Sequence, residues 1–136
     1  MITHDNGTFV LSTDNLDYIM RVVPTGQVEH LYLGDRLRKE DIPALSSHQE
    51  AGVGTATEYE RNGHKVFLDM LPMEYSGIGK GDFRLTPLEI KMPDGTFVTD
   101  FVYLTDRITD GIRPPEGLPH GRDGQGVQSL EIVMKD

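Results

Sequence analysis

Fifteen glycines and eight prolines are spread so evenly through 136 residues that almost no window is left for a long uninterrupted helix. Strands are the alternative. Leu16, Tyr18, Met20 and Val22 alternate with Asp17, Ile19, Arg21 and Val23, a period of two with one apolar and one mixed face. Pro24-Thr25-Gly26 interrupts this run and residues 27–33 resume it, which predicts a hairpin. The same grammar returns where Asn62-Gly63 separates residues 58–60 from 65–69, and where Pro93-Asp94-Gly95 separates residues 88–92 from 97–104. Residues 97–104 are largely apolar on both faces, so they are expected to form a central strand covered on both sides.

A last strand is expected over residues 128–134. Only Lys135-Asp136 follow it, which suggests the front part of a longer protein whose further residues would pair with that strand and leave its edge open here. Residues 36–50 and 111–126, the latter with Pro114-Pro115 and Pro119, read as long surface loops. Residues 37–45 have room for one helical turn, limited by Pro43. The expected fold class is all-β, an antiparallel β-sandwich with two long loops and little helix, with residues 1–136 as one domain or part of one.

A chain of this length buries roughly two-thirds of its unfolded surface and needs no disulfide or metal to hold a core. It has no cysteine, which removes thiolate mechanisms and zinc ribbons. Its net charge of −9 disfavours nucleic acid or an anionic membrane as the main partner. No apolar run approaches the ~18 residues of a membrane span. Met1-Ile2-Thr3-His4-Asp5-Asn6 has neither the basic start nor the apolar stretch of a signal peptide, so a cytoplasmic location is expected.

The five histidines, His4, His30, His48, His64 and His120, show no close spacing that would place two imidazoles together, and no metal site is expected. Asp94-Gly95 and Asp123-Gly124 read as turns and not as calcium loops. Gly77-Ile78-Gly79-Lys80-Gly81 invites a phosphate-cradle reading but fails it, with Gly81 where Ser or Thr is needed and Glu74 where Gly is needed. No nucleotide or other cofactor is expected. The glycines, like Gly52-Val53-Gly54, instead suit a turn that approaches another backbone closely.

Asp82-Phe83-Arg84 follows directly. On an extended segment Asp82 and Arg84 face the same way, so the two side chains suit either hydrogen bonding to a polyhydroxyl ligand, with Phe83 against a sugar face, or a structural ion pair with Phe83 in the core.

The stretch from Leu71 through Glu74-Tyr75-Ser76-Gly77-Ile78-Gly79-Lys80-Gly81-Asp82-Phe83-Arg84 resembles the Glu-Tyr-Pro-x-x-Gly-x-Gly-Asp-Phe/Tyr-Arg motif of glycoside hydrolase family 36 α-galactosidases. His30-Leu31-Tyr32-Leu33-Gly34-Asp35-Arg36-Leu37, Arg107-Ile108 with Gly111 and Gly117-Leu118-Pro119, and Ser129-Leu130-Glu131-Ile132 are similar to further pieces of that family, in the same order. The resemblance implies an N-terminal β-supersandwich portion, followed in the family by a catalytic (β/α)8 barrel that carries the nucleophile and the acid/base. No catalytic residue is therefore expected in this chain. It also implies homo-oligomeric assembly, with the other domains and neighbouring subunits as partners and raffinose- or melibiose-type galactosides as substrate of the whole enzyme.

By motif, Asp82, Phe83, Arg84 and Tyr75 are the substrate-adjacent candidates. The chain departs from the family at Ser76, where Pro is usual, and at Leu85-Thr86-Pro87, where x-Pro-Ala is common. It also carries Ser46, and Lys65 or His64, in place of the Asp and Arg with which the family reaches a neighbour's sugar. Two rivals remain. One is a freestanding carbohydrate-binding module using Tyr32, Tyr75, Phe83 and Tyr103 as stacking rings, which an aromatic content of 7% and the lack of Trp disfavour. The other is a purely structural β-sandwich.

Overall fold

The computed structural model describes residues 1–46, 57–113, 116–119 and 126–136. Among these described residues the regular structure is eight strands and two short 3-10 helices. The first four strands, β1 (Ile2–Asp5), β2 (Thr8–Ser12), β3 (Leu16–Val22) and β4 (Val28–Asp35), form one antiparallel meander in sequence order. β5 (Tyr59–Arg61) and β6 (His64–Val66) form a short hairpin, and β7 (Val102–Asp110) pairs with β8 (Gln128–Lys135).

The turns explain why these strands end where they do. Asn62 and Gly63 both take positive φ, 54° and 74°, as a two-residue hairpin joining right-twisted strands requires. Asn6 and Gly7 do the same at 48° and 76°, closing the β1–β2 hairpin. Between β3 and β4 the chain reverses over residues 23–27, where Val23 N–H donates to the Gln27 carbonyl at 2.9 Å.

The core lies between the meander and the β7–β8 pair. Phe9, Met20 and Val28 form its buried centre, and Tyr103, Leu130, Ile132 and Met134 pack onto them from β7 and β8. This is the sandwich that period-two alternation calls for, and the apolar face of β3 is the one turned inward. The other face of β3 is covered as well, with Ile19 and Asp17 buried. Asp17 accepts from the Ser12 hydroxyl at 2.6 Å and the Leu37 N–H at 2.8 Å, with Arg36 at 3.7 Å. Burial alone would raise its pKa. The two hydrogen bonds and the arginine outweigh burial and hold the carboxyl below its ordinary value.

Several expectations are corrected. Residues 88–92 and 97–101 form no strand, although Pro93-Asp94-Gly95 does turn, with Met92 N–H donating to the Thr96 carbonyl at 2.8 Å. The backbone of residue 99 is taken instead by the glycine turn, since Thr99 N–H donates to the Ile78 carbonyl at 3.0 Å. β7 therefore starts only at Val102, and a central strand covered on both faces does not form: Phe97, Val98 and Leu104 are exposed.

β6 stops at Val66 because Leu68–Met70 tightens into a 3-10 turn. β8 pairs along its length with β7 in a two-stranded sheet, which occupies one of its edges, and Ile2 N–H of β1 donates to the Gln128 side chain at 2.7 Å. Within the expected loop over residues 36–50, Lys39–Ser46 forms a 3-10 helix that carries Pro43. Glu50, His48, His120, Gly52-Val53-Gly54, Pro114-Pro115 and Asp123-Gly124 lie outside the described residues.

Candidate functional site

The segment after the Leu68–Met70 turn first runs along the edge of β4. His30 N–H donates to the Pro72 carbonyl at 2.7 Å and Glu74 N–H to the Val28 carbonyl at 2.9 Å, which fixes where the segment leaves the meander. Glu74 then reaches back, its Oε1 taking the Tyr18 hydroxyl and standing 3.0 Å from His30 Nδ1. Burial, and then the Glu74 carboxylate, push the Tyr18 phenol well above its ordinary range. The Tyr75 ring meets Phe101 edge-on, with centroids 5.5 Å apart.

Residues 77–81 turn sharply beneath residues 98–100. Gly79, Lys80 and Gly81 all take positive φ, at 94°, 60° and 87°. At Gly79 a Cβ would also sit 2.9 Å from the Val98 side chain, so the residue is required twice over, by conformation and by space. The turn closes with Asp82 N–H donating to the Gly79 carbonyl at 3.2 Å.

The turn delivers Asp82 and Arg84 to one another. Arg84 Nε lies 2.9 Å from Asp82 Oδ1 and Nη2 lies 3.1 Å from Oδ2, a two-pronged pairing. The same guanidinium donates to the carbonyls of Leu71 and Leu68, each at 2.6 Å. The Arg84 N–H adds a bond to Asp82 Oδ1 at 3.1 Å. The Asp82 side chain is 1% exposed. Its charge is spent on Arg84, and the arginine is spent on Asp82 and on the end of the 3-10 turn.

Phe83 does not fill the core. With Asp82 buried and the partly exposed Arg84 side chain folded back onto it, Phe83 and Leu85 are left outward, 76% and 98% exposed. Leu85 is the residue that sequence reasoning passed over, although the alternation that exposes Phe83 predicts it too. The proposed stacking rings are not gathered: Tyr32 on β4 donates to the Asp35 carbonyl, Tyr103 joins the inter-sheet core, and Tyr75 packs on Phe101.

Beside the turn lies an open groove of about 360 Å³, lined by Thr57, Glu58, Tyr59, Glu60, Arg61, Lys80 and Asp100. Its acids are already partnered. Glu58 and Glu60 face Lys65 at 2.6 and 3.8 Å, and Asp100 accepts from the Tyr59 hydroxyl at 2.9 Å with Arg61 at 3.6 Å. His64 and Lys65 lie on β6, and Ser46 caps the end of its own 3-10 helix by donating to the Pro43 carbonyl at 2.8 Å. Glycoside hydrolysis needs one carboxyl free to give a proton and another free to attack or to activate water. The acids of this site are instead structural, and what the site offers outward is a phenyl ring and a leucine.

Comparison with known proteins agrees with this picture. The bifunctional alpha-galactosidase/sucrose kinase AgaSK of Mediterraneibacter gnavus is 32% identical over 130 residues, which is 94% of this chain and 14% of that protein. The solved galactosidase domain of alpha-galactosidase-sucrose kinase AgaSK superposes on the whole chain with a TM-score of 0.83 and 29% identity, using 19% of its own length. A variant of the alpha-galactosidase AgaA from Geobacillus stearothermophilus, solved in complex with raffinose, matches 95% of the chain with a TM-score of 0.75 and 30% identity, using 18% of its own length. The chain thus spans less than one-fifth of the relatives it matches. Residues 26–136 match the Glycosyl hydrolase family 36 N-terminal domain, and the chain belongs to that family.

Proposed function

We propose that this domain is the non-catalytic N-terminal part of an oligomeric, cytoplasmic α-galactosidase acting on terminal α-galactosides of the raffinose and melibiose type, and that its role is assembly and shaping of the substrate pocket. The observation that carries the reading is segment 82–85, in which Asp82 is buried and held by Arg84 while Phe83 and Leu85 point out. A fold gains nothing by exposing two large apolar side chains on a rigidly held segment. Covering them against another part of the enzyme is worth on the order of 3–6 kcal/mol before the costs of association are counted. Relatives that carry several times the length of this chain, one of them named for α-galactosidase activity and one crystallised with raffinose, support the substrate class.

A freestanding sugar-binding module fits less well, because its four candidate rings lie on different elements and three of them are engaged elsewhere. Reconstitution separates the readings. The catalytic remainder of the enzyme is assayed on raffinose, and sized by sedimentation, with and without this domain. Gain of activity and of native assembly on adding the domain is the expected result; full activity and assembly without it would refute the role. Titration of the domain alone with galactose and raffinose should show no saturable binding.

A further inference from the structure

Between the glycine turn and residues 99–101 lies a partly open cavity of about 20 Å³, whose walls include Gln27, Tyr75, Gly77, Asp82 and Thr99. Two of the lining residues carry a buried hydroxyl with no partner among the described residues: the Tyr75 phenol oxygen and Thr99 Oγ1. Thr99 as a whole is 5% exposed. Its Oγ1 is directed at the turn, since a Cβ on Gly77 would sit 2.7 Å from it. A buried hydroxyl without a partner is costly, and native folds rarely leave one so.

The size and chemistry of the space restrict what can satisfy them. A cavity must offer roughly 10–15 Å³ to admit a water molecule, and polar cavities of that size are occupied where two or more groups can bond the water. This cavity meets that threshold with room for about one water. Lys80, Asp82 and Asp100 also border it, but both Asp82 carboxylate oxygens already accept from Arg84 and Asp100 already faces Tyr59 and Arg61, so neither acid is left to bind an occupant. Each hydroxyl can donate or accept, and one water can therefore serve both.

We propose that this cavity is the binding site of a single structural water, shared by the Tyr75 and Thr99 hydroxyls, that joins the glycine turn to residues 99–101. The turn presents Asp82 and Arg84, so the water belongs to the framework that holds the outward face of residues 82–85 in place. Gly77 is then needed for the water as well as for the turn, because a side chain there would push Thr99 Oγ1 out of reach.

Thr99→Val and Tyr75→Phe remove one hydroxyl each with little change of shape, and the test is the melting temperature of the intact protein carrying each change and both. A shared water makes each single variant less stable, lowering the transition by about 3 °C. It makes the double variant no worse than one single variant, because the water departs with its first partner. A melting temperature that is unchanged or raised in either single variant would mean that an unbonded hydroxyl had been removed, and would overturn the proposal. Losses that simply add would overturn the sharing. Should a variant fail to fold, a high-resolution diffraction map of the unaltered protein decides: a peak within hydrogen-bond distance of both oxygens is expected, and a featureless cavity refutes the site.

Discussion

Arg84 closes a two-pronged pairing on Asp82, only two residues earlier in the chain, and then continues past it to the carbonyls of Leu71 and Leu68. The pair therefore does more than neutralise a buried acid. It ties the exit of the glycine turn to the Leu68–Met70 turn, sixteen residues away for the longest of these bonds. Because the tie is internal, the side chains between and beyond its two ends are held at fixed positions on the surface.

Replacing Arg84 by Ala leaves Asp82 buried and uncompensated and two carbonyls unbonded. The expected loss is about 3–5 kcal/mol in urea unfolding at neutral pH. Arg84→Lys should recover only part of it, since a point charge cannot bond both carboxylate oxygens and both carbonyls at once. Equal stability of the Lys variant and the unaltered protein would show that the fork geometry is irrelevant.

Phe83 and Leu85 make the opposite prediction. Changing both to Ser should alter the unfolding free energy of this domain by no more than about 0.5 kcal/mol per site, because neither is buried within it. In the intact enzyme the same double change should weaken assembly on sedimentation and lower raffinose hydrolysis. A fully assembled and active variant would remove the docking role of this face.

Asp17 gives an acid-range test. Its folded-state pKa lies below the ordinary value of 3.8, so its contribution is fully present above that value and is lost as pH falls through the folded-state pKa. Asp17→Asn should lower the urea midpoint at neutral pH, with a cost of about 2 kcal/mol for the charge-assisted bonds removed. The gap between variant and parent should close as the pH drops below about 4. A gap independent of pH would assign the effect to packing.

At the alkaline end, the hydrogen bond to Asp106, with burial second, pushes the Tyr103 phenol up to about 12 from an ordinary 10.0. A raised pKa stabilises the fold fully below the ordinary value and is lost as pH rises between the two. Stability should therefore decline between about pH 10 and 12, and Tyr103→Phe should flatten that decline. The phenolate absorbance of the folded protein should likewise lose a late-ionising component in the variant.

What could be read in the chain was local. The period of two over residues 16–22 names the strand and its inward face, and Asn62-Gly63 sets a two-residue hairpin because both positions need positive φ. Asn6-Gly7 carried the same signal for the β1–β2 hairpin, and sequence reasoning overlooked it by weighing the first residues only as a targeting segment. Spacing alone also brought Asp82 and Arg84 to one side of an extended segment.

The errors came from contacts distant in sequence. Residues 97–101 have the alternation of a strand, but a strand needs a partner's backbone, and Thr99 bonds to Ile78 in the glycine turn. For Phe83 the chain left two readings open, core or surface, because whether an apolar ring is covered depends on what else packs there, and here Asp82 takes the buried position beside it and Arg84 folds back onto that acid. The β class, the positions of the Asn-Gly turns and the family resemblance are legible along the chain, because φ preference and side-chain alternation act over a few residues. Which apolar residues are buried, which charges pair and which face is left to meet another surface become visible in three dimensions, because those depend on groups that folding brings together from tens of residues apart.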